Sequence, residues 1–103
     1  MRNLFVVILK YIKPIDVVDL HRSNHMKFLD ENYAKGLFIA SGRKVTQDGG
    51  VIIACCDSIQ ELQEILSADP FHLEKVAEYA IHEFTPTKYI KALEKCLKVT
   101  EEE

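Results

Sequence analysis

Nowhere in these 103 residues does an uninterrupted apolar run exceed six; the longest are residues 4–9 and 51–56. A bilayer-spanning helix needs roughly 20 such residues, so no transmembrane segment and no membrane partner are expected. The chain also opens without a charged leader, a longer apolar stretch and a small-residue cleavage site. No secretory signal is therefore predicted, and a cytoplasmic protein is expected. Positive charge is not in excess either: 13 Lys and Arg face 16 Asp and Glu, a formal net charge of −3, and the basic residues are scattered. Phosphate backbones are gripped by basic stripes, so no nucleic-acid partner is expected. Cysteine is scarce, and Cys55, Cys56 and Cys96 make an odd set with two adjacent members. That is neither a disulfide framework nor a Cys-x-x-Cys pair. Buried free thiols in a reducing compartment are the simpler account.

What is present is ordinary globular composition, 48% hydrophobic and 28% charged. There is no internal repeat, linker or low-complexity tract, so one domain over residues 1–103 is expected, with a core at 1–85 and a C-terminal helix and acidic tail at 86–103. Residues 3–9 read as a buried strand, apolar on both faces. Pro14 suits a first helical turn, with Asp16 and Asp19 favoured by the dipole. That helix is predicted to run unbroken to Lys35, with Gly36 as its left-handed cap. Residues 37–42 read as a second strand, extending to about Val45. Asp48-Gly49-Gly50 reads as a hairpin turn into a third strand at 51–56. Ser58 and Glu61 form a capping-box pattern opening a helix through Ser67, with Ile59, Leu62, Ile65 and Leu66 on one stripe. Asp69-Pro70 ends it. Residues 76–84 form a fourth strand, polar at Glu78 and Glu83. Thr85-Pro86 is predicted to cap a last helix with Ile90, Leu93 and Leu97 on its apolar face, ahead of a frayed end at Glu101–Glu103.

The order βαββαβ plus a C-terminal helix predicts an α+β, ferredoxin-like split βαβ arrangement. Its first and third strands are central, and they carry the two apolar runs. Both helices of the repeat cover one sheet face. The other face carries every second residue of the same runs, and these are apolar too. A partner sheet is the larger cover, so a homodimer of the dimeric α+β barrel type is expected rather than a lid formed by one helix.

The first helix holds the chemically informative residue. His25 falls near the centre of its apolar face, flanked by His21 and Arg22. A ring placed there is desolvated, which depresses its pKa unless an anion sits nearby. A core histidine satisfied by one backbone hydrogen bond would leave the same pattern. Asp69 has an extended backbone fixed by Pro70 and a side chain free to point elsewhere; a plain turn residue would look alike. Paired, the two make a general base with its orienting carboxylate. His21 and His25 are also four apart, with Asp69 or His72 as further metal donors. The catalytic glutamate of helical metal motifs is missing between them, so no metal is predicted. Cys55 and Cys56 point to opposite faces of a strand and cannot act as one dithiol. The RNA-binding version of this fold needs aromatics on its central strands, and residues 51–56 have none.

These residues resemble those of the YciI-like (YCII-related) family. The resemblance rests on Arg22-Ser23-Asn24-His25 with Phe28-Leu29, on Gly36-Leu37 and Ser41-Gly42, and on Asp69-Pro70-Phe71. It implies a small dimeric α+β barrel whose helix-motif histidine and Asp-Pro-Phe aspartate, here His25 and Asp69, are the catalytic pair. Some members have dehydrohalogenase or lyase-type activity on ring compounds. The sequence departs from the family pattern at Gly42-Arg43, where proline usually follows the glycine, and at His72-Leu73-Glu74, where a Gly-Leu step is usual.

The expected function is that of a small-molecule enzyme of lyase, dehydrohalogenase or isomerase type, needing no cofactor. His25 serves as general acid/base and Asp69 as its orienter. Arg22, Ser41 and Gly42 bind an anionic or aromatic ligand. The alternative is a non-catalytic ligand-binding or interaction module in which the histidine and aspartate only fix the fold. A cavity beside His25 large enough for a ring would favour the enzyme; a closed, dry contact would favour the module.

Overall fold

In the computed structural model, residues 1–98 are described, so the acidic end Glu101–Glu103 lies outside the described residues. Strands β1 (Asn3–Tyr11), β2 (Phe38–Arg43), β3 (Gly49–Cys56) and β4 (Ala77–Phe84) form one antiparallel sheet in the order β2-β3-β1-β4. This is the ferredoxin-like order, with β1 and β3 central. Register pairs Val7 with Ile52 and Leu9 with Gly50. The inward residues Phe5, Val7, Leu9, Ile52 and Ala54 therefore form one row of the core. Helices α2 (Arg22–Ala34) and α3 (Ile59–Leu66) cover that face with Phe28, Leu29, Leu62 and Leu66. The Ser58 cap of α3 is present: Ser58 Oγ accepts from the Glu61 amide at 3.1 Å, while the Glu61 carboxylate accepts from the amide of Asp57, one residue ahead of the cap.

On the opposite face, Leu4 and Cys55 lie under Leu97 of α5 (Glu94–Leu97), with Leu93 and Tyr89 beside them. Val6, Ile8, Val51 and Ile53 share that face by alternation and stay part-exposed.

Four local expectations are corrected. The first helix is not continuous: α1 (Ile15–Asp19) closes with i to i+3 bonds at Leu20 and His21, and α2 starts afresh at Arg22. Val17, Val18 and Asp19 are weak helix formers, and Asp19 turns outward to pair with Arg43. The hairpin turn lies at residues 44–48, with Gln47 at φ 64°, and not at Asp48-Gly49-Gly50. Gly49 is instead a strand residue that its ladder neighbour β1 approaches closely, since a Cβ there would sit 1.8 Å from the Leu9 carbonyl oxygen. A short extra helix, α4 (Pro70–Leu73), follows Asp69. The last helix starts late, as a 3₁₀ turn at Lys91–Leu93 leading into α5. Thr85 donates its hydroxyl to Asn3 Oδ1 at 2.9 Å rather than capping a helix, and Ile90 is 69% exposed.

Candidate functional site

His25 sits one turn into α2, where its side chain faces the core, and only 8% of the residue is exposed. Asp69 arrives from the short turn that follows α3, its amide bonded to the Leu66 carbonyl. Its extended backbone (φ −66°, ψ 126°) is the geometry that Pro70 imposes, and it also makes Asp69 the N-cap of α4. Its Oδ1 accepts the Phe71 amide at 3.0 Å and faces His25 Nδ1 at 2.7 Å. Its Oδ2 accepts the Tyr79 hydroxyl at 2.6 Å. Three donors thus converge on a fully buried carboxylate, which satisfies it without a Lys or Arg beside it.

This arrangement decides the tautomer of a neutral His25 ring. Nδ1 carries the hydrogen and donates to Asp69, so Nε2 holds the free lone pair. Among the described residues Nε2 has no hydrogen-bond partner. No buried side-chain N or O is left unpaired there, so Nε2 is reached by solvent. Phe71 lies flat on the imidazole, with centroids 3.9 Å apart and planes 3° from parallel. Tyr11 in turn stands edge-on to Phe71. The ring is therefore held in orientation by stacking as well as by its hydrogen bond. Burial, then the charge of Asp69, then the bond between them push the Tyr79 hydroxyl far above the usual tyrosine range. Tyr79 is thereby kept a hydrogen-bond donor to Asp69 at neutral pH.

His25 opens onto a cavity of about 200 Å³, walled by apolar Leu9, Leu29 and Ile52. Arg22, Ser41 and Gly42 line the same cavity. The Ser41 hydroxyl is paired with the Tyr33 hydroxyl at 2.7 Å. Arg43 lines it too: its Nε donates to the Tyr11 hydroxyl at 3.0 Å and its Nη2 reaches Asp19. Those two bonds, Asp19 foremost, hold the guanidinium above its ordinary pKa. The spacing of His21 and His25 gathers no further donors: among the described residues, no group of three or more His, Cys, Asp or Glu is placed to hold a metal ion. A larger groove of about 750 Å³ runs between β4 and α3 past His72 and Tyr79, and His25 is not part of its wall.

Tyr79, Phe71 and Arg43 belong to this neighbourhood, beyond the site residues expected from the sequence. A readable signal existed for Tyr79. It shares the inward face of β4 with Ala77 and Ile81, and a buried tyrosine hydroxyl must find a partner.

No helix among the described residues is long and apolar enough to cross a membrane. The family model of the YCII-related domain matches residues 4–85. The structure resembles that of 5-chloro-2-hydroxyhydroquinone dehydrochlorinase (TftG) from Burkholderia phenoliruptrix AC1100, solved in complex with 2,5-dihydroxybenzoquinone. The TM-score is 0.67 at 18% identity, covering 80% of this chain and 93% of that one. At that identity the likeness is one of fold. A comparison with curated proteins finds no match. The family match runs through all four strands and encloses both His25 and Asp69, and on that ground the chain belongs to the YCII-related domain family.

Proposed function

We propose that this protein is a small-molecule enzyme in which His25 is the general acid/base and Asp69 its orienting carboxylate. The observation that carries the reading is the buried 2.7 Å contact between them, which leaves Nε2 without a partner among the described residues and beside a cavity. That cavity, about 200 Å³, exceeds the roughly 150 Å³ that holds a benzene ring, which supports a ring compound as substrate. The chemistry in keeping with this pair is elimination or isomerisation without a cofactor. In an elimination, Nε2 takes a substrate proton and the electrons of that bond form the new double bond. The leaving group departs with the pair from its own bond to carbon. Asp69 then holds the imidazolium until it returns the proton to water. Arg22 and the Ser41-Gly42 wall receive the developing or permanent anion. The dehydrochlorinase activity and the quinoid ligand of the structural neighbour support this class of reaction and substrate. The part-exposed apolar residues of the second sheet face support a homodimer.

The test is turnover of 5-chloro-2-hydroxyhydroquinone, followed by chloride release. His25→Asn and Asp69→Asn are each expected to lower the rate by about 100-fold or more. Their effects should not add, because the orienter has no task once its base is gone. A double variant that works like wild type removes the assignment. Wild type that binds 2,5-dihydroxybenzoquinone without releasing chloride or rearranging any ring substrate would make this a ligand-binding module instead.

A further inference from the structure

We propose that Arg43 makes this cavity selective for planar rings carrying an ionised oxygen, and that such a ligand displaces Asp19 from the guanidinium. The proposal rests on the reading above only in seating the ring beside His25. In a chain of net charge −3, the charged residues on the cavity wall, among the described residues, are Arg22 and Arg43, with no Asp or Glu beside them. The two arginines are not equivalent. Arg22 is exposed on α2 and has no ion-pair partner among the described residues. Arg43 is oriented: its Nε is committed to the Tyr11 hydroxyl, and its guanidinium carbon lies 5.5 Å from the centre of the Tyr11 ring. Tyr11 itself is braced edge-on by Phe71, the ring that stacks on His25. A commitment at Nε leaves the two Nη groups as a fork, the geometry that takes two oxygens of one anion.

Asp19 holds one prong of that fork, Nη2, from outside. Its side chain is 46% exposed, and it is not part of the cavity wall. An ion pair at such a position is weak, because solvent competes for both partners. A ligand oxygen held between Leu9, Leu29 and Ile52 is partly desolvated, and there the same charges attract more strongly. Asp19 therefore serves as a stand-in that keeps Arg43 aimed until an anion arrives. Two sources supply the required chemistry, a ring carboxylate and the ionised enol oxygens of a hydroxyquinone.

Calorimetric titration with three ring compounds tests this: 2,5-dihydroxybenzoate, 2,5-dihydroxybenzoquinone and uncharged hydroquinone. Wild type should bind at least one of the two anions about tenfold more tightly than hydroquinone, and rising salt should erode the difference. Whichever anion shows the preference identifies the source. Arg43→Gln should abolish it, bringing the preferred anion down to about the affinity of hydroquinone. Asp19→Asn should tighten anion binding and leave hydroquinone alone, a gain that misfolding cannot produce. A preference that survives Arg43→Gln, anion binding weakened by Asp19→Asn, or no binding of either anion to wild type overturns the proposal. The catalytic reading fails separately: a His25→Asn protein with full turnover would end it, while an Arg43-dependent anion preference would stand.

Discussion

One oxygen of Asp69 both caps a helix and orients a histidine, so at the scale of single residues the site and the fold share an atom. The other oxygen depends on Tyr79 alone among the described residues. Tyr79→Phe removes that donor and leaves Oδ2 buried without a partner, at a cost of about 1–3 kcal/mol. Urea denaturation is the measurement, and an unchanged midpoint would show that water replaces the hydroxyl. Asp69→Ala should cost more, because it strips the acceptor from two buried donors and the part-buried Tyr79 hydroxyl at once. The pairing of His25 with Asp69 was legible in the sequence because each residue breaks a local pattern. One is a polar ring in an apolar stripe; the other is a carboxylate whose backbone a proline fixes. Tyr79 breaks no pattern, since tyrosine suits a half-buried strand. The Arg43–Asp19 pair spans 24 residues and depends on where α1 stops, which no local signal marks.

At the scale of elements, two helix ends repeat one device with different residues. After α2, the Gly36 amide bonds the Tyr33 carbonyl and the Leu37 amide bonds that of Asn32. After α4, the Lys75 amide bonds the His72 carbonyl and the Val76 amide bonds that of Phe71. Both are Schellman closures with a left-handed residue at the turn, φ 74° at Gly36 and φ 57° at Lys75. A side chain at Gly36 would meet nothing within 4 Å, so Gly36→Ala suffers only the backbone penalty, about 1 kcal/mol. Lys75→Gly relieves the same penalty and should stabilise by up to about 1 kcal/mol. Chemical denaturation of both variants checks this, and shifts of the same sign would refute it. Gly36 was readable because glycine after a periodic segment announces such a cap. Lys75 was not, because α4 has four residues, too few to show a period. The hairpin was misplaced for a related reason: glycine serves close approach as well as turning, and at Gly49 the close approach of β1 decides the matter.

At the scale of the whole molecule, the sheet has one finished face and one unfinished. Strand order and the two central strands were legible because apolar runs on both faces are the mark of an interior strand, and the structure puts β1 and β3 there. The cover of the second face was not legible, since it depends on where the chain goes after Phe84. The C-terminal segment reaches Leu4 and Cys55, and Val6, Ile8, Val51 and Ile53 stay part-exposed. Light scattering should therefore give about twice the chain mass of 11.8 kDa. A monomeric mass at micromolar concentration would leave that face to the C-terminal segment alone.

Alternation along β3 gives two neighbouring thiols different roofs, and so turns them into clocks that run at different depths. Cys55 lies under Leu97 and is bonded to the Cys96 carbonyl, whereas Cys56 belongs to the core beneath the helices. Burial pushes both thiols up, Cys56 to about 12, so both should label slowly at neutral pH while they are covered. Because the folded values lie above the unfolded ones, the stability this confers is intact at neutral pH and drains as pH climbs from about 8.5. Lifting of a four-residue helix uncovers Cys55; only loss of the sheet's packed face uncovers Cys56. Under a thiol reagent in sub-denaturing urea, mass spectrometry should find Cys55 modified first, at a rate nearly independent of urea. Cys56 should follow at a rate that rises steeply with urea, as global opening does. Equal rates at every urea concentration would mean that the C-terminal segment and the core open as one unit.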